Sequence, residues 1–152
     1  AMTLPDIRDL VPHSGPMVLL DRVLAADAET LCAEVTIRPG SVFCDGSGVG
    51  SWVGMEYMAQ AVAAHAGYLA LQRGEAVKVG FLLGTRRYEC SRPAFAVGSV
   101  LHVHVRRALQ GDNGLGAFEC RIGDAAGGLV ASATVTVFEP ENVDEFLQRS
   151  EE

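Results

Sequence analysis

The sequence predicts an α+β domain in which a curved antiparallel sheet of about six strands wraps around one long helix. Two observations carry that expectation. Residues 52–71 read WVGMEYMAQAVAAHAGYLAL, rich in Ala, Met and Leu and free of Pro, a composition that favours a helix about 30 Å long. Nearly everything after it alternates between apolar and polar residues and is punctuated by turn signals. With 152 residues, 49% of them hydrophobic, the chain has the length of one domain and is too apolar to stay disordered.

The elements follow in order. Residues 17–26 and 30–38 are apolar, β-branched stretches separated by Asp27, Ala28 and Glu29, and are expected as the first two strands. Residues 44–51 form a loop of small residues, with Ser51 placed to cap the helix. The helix is apolar nearly all round, so it belongs either in lipid or inside protein. Glu56, Gln60 and His65 would each be costly in lipid, which makes it an enclosed helix and not a membrane span. Gly74 is expected to end it. Residues 77–83 lead into an extended stretch over 86–91, and Arg92-Pro93 stops it. Residues 100–109, 115–122 and 129–138 complete the sheet, joined by hairpin turns at 111–114 and 124–128. Leu101, Val103 and Val105 alternate with polar residues, so one face is buried and the other wet. Residues 1–138 form a single domain, and 139–152 an acidic tail.

The formal net charge is −7, twelve basic residues against nineteen acidic, which argues against a nucleic-acid binder held by phosphate contacts. The charge is unevenly spread. In the tail, Glu139, Glu141, Asp144, Glu145, Glu151 and Glu152 face only Arg149. Between 78 and 107 the balance reverses, with Lys78, Arg86, Arg87, Arg92, Arg106 and Arg107 against Glu89. That stretch reads either as solvated strand residues or as a docking patch for an anionic partner, for which Arg suits better than Lys. Cys32, Cys44, Cys90 and Cys120 are scattered without a CxxC pair, the pattern of buried reduced thiols in a cytosolic protein. Asp6, Arg8 and Asp9 interrupt any apolar run near the start, so no secretory signal is read there and the expected location is the cytoplasm.

Glu56 stands about one turn into an apolar helix. It is either a carboxyl kept protonated by burial, suited to general acid work, or a structural group hydrogen-bonded to Gln60 at i+4. Ahead of it, the backbone N–H groups around Gly50, Ser51 and Trp52 offer a place for a carbonyl oxygen gaining negative charge; the alternative is a plain flexible loop. No phosphate-loop motif is present. His65, nine positions beyond Glu56, falls on the opposite helix face and reads as structural. His102 and His104 share one strand face that reads as solvated, and no metal or other cofactor is expected. His13, in a turn between Pro12 and Pro16, is the histidine most rigidly placed.

Three segments resemble a known family. LVPHSGPMVLLDRV at 10–23 resembles the LPHRxPFLLVDRV segment of hot-dog-fold (3R)-hydroxyacyl acyl-carrier-protein dehydratases. GMEYMAQ at 54–60 resembles their central helix, an acidic residue followed by Met-Ala-Gln. Gly84, Arg92-Pro93 and Gly98 resemble their later strand pattern. The nearer likeness is to a divergent branch of dehydratases found with aryl polyene and related polyketide-like pathways. One departure stands out. Where the main family carries a catalytic His in a Gly-His-Phe-Pro-Gly loop, this chain has Val42, Phe43 and Cys44, and Gly50-Ser51 replaces the Pro-Gly pair at the helix start.

The resemblance implies a hot-dog fold and dehydration of a 3-hydroxyacyl thioester, with Glu56 as acid. His13 is expected to replace the missing base, and the N–H groups of Ser51 and Trp52 to polarise the thioester carbonyl. It further implies no cofactor and a homodimer or dimer-based oligomer. The implied partner is acyl carrier protein with its phosphopantetheine, docking at Arg86, Arg87 and Arg92. A hot-dog acyl thioesterase and a non-catalytic acyl-binding subunit are the alternatives.

Overall fold

Residues 4–11, 15–74, 81–111 and 114–138 are described by a computed structural model of the chain. Strands β1 (Arg22–Ala26) and β2 (Thr30–Thr36) are followed by the short β3 (Gly48–Gly50) and by helix α1 (Gly54–Gln72). Then come β4 (Phe81–Cys90), β5 (Ala94–Ala96), β6 (Val100–Gln110), β7 (Leu115–Asp124) and β8 (Leu129–Phe138). Six strands form one antiparallel sheet in the order β1-β2-β6-β7-β8-β4, while β3 and β5 pair as a separate ribbon. This is the expected α+β architecture, one helix against a six-stranded sheet.

Three details differ from the sequence reading. β1 starts at Arg22, because Gly15–Met17 curl into a 3-10 turn. The loop before the helix contains β3, whose three residues pair with 94–96. Ser51 does not cap α1: Ser51–Val53 form a 3-10 turn, and the residue at the cap position is Val53, which has no side chain that can accept a hydrogen bond. The far end is as expected, with Gly74 at φ +71° and its N–H on the Leu71 carbonyl. The expected strand residues 77–80 and the tail 139–152 lie outside the described residues.

Strand alternation places Leu31, Ala33 and Val35 of β2, Leu101, Val103 and Val105 of β6, and Phe118, Cys120 and Ile122 of β7 on the buried side. These side chains form the bed on which α1 lies. The helix remains apolar on its other side, and the leading segment covers that side. Ile7, Leu10, Val11 and Leu20 are all buried. The Leu10 carbonyl lies so close to Gly67 that a Cβ there would overlap it, so the glycine is required by the approach of the main chain.

Two polar side chains of α1 are fully buried, Gln60 and His65. Gln60 accepts a hydrogen bond from the Leu19 N–H at 2.9 Å and donates to the Met17 carbonyl at 2.7 Å. His65 bonds through Nε2 to the Asp27 carbonyl at 3.0 Å, which makes Nε2 the protonated nitrogen. Its Nδ1 is buried without a partner, and its ring packs edge-on against Phe118. The Asp27 side chain meanwhile accepts from the N–H groups of Glu29 and Thr30, closing the β1–β2 turn that His65 holds.

Replacing Gln60 with Leu strands the Leu19 N–H and the Met17 carbonyl, and is expected to lower stability by about 1–3 kcal/mol in urea denaturation. Burial, the largest cause, depresses the His65 pKa, so the fold favours the neutral ring. Its contribution is full above the unfolded value of about 6.5 and is lost as pH falls from there toward the folded value. Unfolding free energy measured between pH 7 and 5 should show a slope of up to about 1.4 kcal/mol per pH unit from this group. His65→Leu should flatten that slope, and an unchanged slope would assign it elsewhere.

Candidate active site

The first turns of α1 bring the chemistry-bearing groups together. Glu56 is half-buried in the first turn of the helix, and Gln60 reaches back to its Oε1 at 3.3 Å. That bond is longer than the two Gln60 makes to residues 17 and 19. Four residues apart, the two side chains share one helix face, and the amide engages the carboxyl only weakly.

The start of the helix is held from both sides. Gly50 pairs with Ala94 at the end of the β3–β5 ribbon, and the Ser51 N–H donates to the Pro93 carbonyl at 3.1 Å. The Ser51 carbonyl accepts from the N–H of Gly54 and from the hydroxyl of Tyr88. Of the two amides expected to face a substrate carbonyl, that of Ser51 is thus occupied by Pro93. The Val53 N–H is turned to the Gly50 carbonyl by the 3-10 turn, while the Trp52 N–H precedes the first acceptor of that turn, at the positive end of the helix dipole.

Around this turn the surface is apolar. Trp52 is 58% exposed and Phe43 is 42% exposed; their rings meet edge to face with centroids 5.3 Å apart. Phe43 has φ +71°, a backbone conformation that aromatic residues rarely adopt. Met17, whose carbonyl is held by Gln60, is 45% exposed. The sequence offered a hint of this surface only in what segment 42–44 lacks. The pairing of Phe43 with Trp52 depends on a chain reversal that no local pattern announces.

His13 lies outside the described residues. The segments flanking it are both fastened to α1, by Leu10 against Gly67 and by Met17 on Gln60. Arg86 and Arg87 are exposed on β4, and among the described residues neither makes an ion pair. A bulge between Arg86 and Glu89, with Arg87 at φ +55°, lets two consecutive residues face solvent. Arg92 pairs with Asp124 at 3.2 Å and Arg106 with Glu119, while the Arg107 guanidinium lies over the Phe118 ring. Lys78 lies outside the described residues. His102 and His104 sit on the outer face of the sheet, against Glu34 at 3.2 Å and Cys32 at 3.7 Å. No cluster there or elsewhere among the described residues can hold a metal ion. Among the same residues no helix is long and apolar enough to cross a membrane.

A carboxyl group and helix-terminal N–H donors on adjacent turns can deliver or remove a proton while stabilising an oxygen that gains negative charge. A profile of ApeP dehydratases matches residues 5–148. A chain of the dehydratase heterocomplex ApeI:P from Xenorhabdus doucetiae is similar at 30% identity and a TM-score of 0.88, with 99% of this chain and 100% of that chain covered. A hypothetical thioesterase with coenzyme A from Streptococcus pneumoniae TIGR4 shares the fold at 14% identity and a TM-score of 0.62, covering 78% of this chain and 84% of that one. Zebra fish thioesterase superfamily member 2 shares it at 14% identity and a TM-score of 0.66, covering 88% and 91%. No curated protein matches the chain. With a hot-dog arrangement of helix and sheet, and a profile match over nearly its whole length, the chain belongs to the ApeP-like dehydratase family.

Proposed function

We propose that the protein removes water from a 3-hydroxyacyl thioester carried on acyl carrier protein, giving the trans-2-enoyl thioester. The observation that supports this most is the position of Glu56, beside Gln60 and one turn from the Trp52 N–H that precedes α1. In this reading neutral His13 takes a proton from C2. The C2–H electron pair becomes the C2–C3 double bond, and the C3–O bond breaks with its electrons on oxygen. Protonated Glu56 donates to that oxygen, and water leaves. The thioester oxygen gains charge during proton removal, and the Trp52 N–H receives it. Exchange with solvent then returns a proton to Glu56 and removes one from His13.

Arg86 and Arg87, exposed and without an ion pair among the described residues, support docking of an acidic carrier with its phosphopantetheine phosphate; Arg92 contributes less, being paired with Asp124. A structure similar to this chain is a heterocomplex, which supports a second hot-dog subunit, a copy or a homologue, as the oligomeric partner. The absence of His from 42–44 and that heterocomplex together favour one second reading, an acyl-binding subunit that depends on an active homologue. A thioesterase reading has only the distant fold matches in its favour.

Mass spectrometry of the acyl product separates these readings. Loss of one water from the carrier-bound acyl group is the expected outcome, release of free acid means thioester hydrolysis, and turnover only after adding a homologous subunit means the acyl-binding role. Glu56→Gln and His13→Ala are each expected to lower the dehydration rate by about 100-fold or more. A wild-type rate for His13→Ala removes it as the base.

The charge reversal Arg86→Glu with Arg87→Glu is expected to raise KM for carrier-bound substrate by about tenfold and to leave a short free thioester nearly unaffected. Equal losses on both substrates would remove the docking assignment.

A further inference from the structure

The bulge that turns Arg86 and Arg87 outward brings the next residue, Tyr88, onto the start of α1. Its hydroxyl donates to the Ser51 carbonyl, and a Cβ on Gly54 would overlap that hydroxyl. Glycine at 54 therefore leaves the space the phenol occupies. Burial, the largest cause, holds the Tyr88 pKa above its ordinary value, so the group stays a donor at neutral pH.

The Ser51 carbonyl and the Trp52 N–H are the two ends of one trans peptide group, and they point in opposite directions. On the other side of Ser51, its N–H is tied to the Pro93 carbonyl. A hydrogen bond accepted by an amide oxygen polarises the group and strengthens the N–H at its far end. We infer that Tyr88 is a positioning residue for dehydration: it holds the Ser51 carbonyl toward β4, which aims the Trp52 N–H away from β4 and makes it a stronger donor to the thioester oxygen. This rests on the dehydratase reading above. It adds a residue of the edge strand, 32 positions after Glu56, to the machinery of the helix start.

Tyr88→Phe keeps the ring and removes the bond. The Trp52 amide proton should move upfield in 1H–15N spectra, and kcat should fall by about tenfold, less than the loss of a whole oxyanion donor. KM should change by less than about twofold, with little change in thermal midpoint. Gly54→Ala, which pushes a methyl onto the hydroxyl, should lower kcat in the parent. In the Tyr88→Phe background the next neighbours of that methyl, the Tyr88 ring and Ile122 Cδ1, stand at 3.2 Å and can yield, so the second substitution should add little. Such non-additivity is the signature of one shared contact. An unmoved Trp52 amide, an unchanged kcat, or two substitutions that simply add would each overturn the inference. If the parent protein releases water from no thioester, the dehydratase reading falls, and the Trp52 resonance still decides whether Tyr88 holds that peptide.

Discussion

Gln60 is buried on all sides, and an amide so placed must find partners inside the protein or destabilise it. It finds them on the leading segment, taking the Leu19 N–H and giving hydrogens to the Met17 carbonyl and Glu56. Much follows from this one side chain. The leading segment is stitched across the helix face that the sheet leaves bare, so the helix can be apolar around its circumference and still be covered. The same amide sets the surroundings of the one acidic residue in that turn. The core and the site thus share a hydrogen-bonding group, and neither can be altered there without the other.

The start of the helix is built on a second, independent principle. Its main chain is fastened by Pro93 from the β3–β5 ribbon and by Tyr88 from β4, with no capping side chain at all. A capping Ser would occupy one of the terminal N–H groups. Holding the turn through its carbonyl and through an amide further upstream leaves the Trp52 N–H uncapped by a side chain. The turn is fastened in this way without a Pro-Gly pair.

The long helix, the hairpins β1–β2, β6–β7 and β7–β8 and the family were legible because each rests on local signals: composition over twenty residues, alternation, turn residues, and three short segments in order. The small ribbon was not, since strands of Gly-Val-Gly and Ala-Phe-Ala carry no period. Nor was the fate of the Ser51 amide, which depends on a proline more than forty residues away. Gln60 was visible only as a neighbour of Glu56 at i+4, while its stronger bonds cross to residues 17 and 19. Tyr88 left no mark because its direction depends on Arg87 adopting φ +55°, a choice that arginine does not signal. Long-range hydrogen bonds and strained backbone are the parts that local patterns do not encode.

The kink at Arg87 also bears on how the borders of the sheet meet other chains. β1 and β4 are the outermost strands of the sheet, and each exposes a row of main-chain groups able to recruit another strand. Each is also irregular: β1 shifts register between Val23 and Ala25, and β4 between Leu82 and Gly84 and again between Arg86 and Glu89. A regular extended chain pairs poorly along such a border, and the two charged side chains on β4 disfavour it further. Irregular borders of this kind disfavour open-ended stacking of sheets.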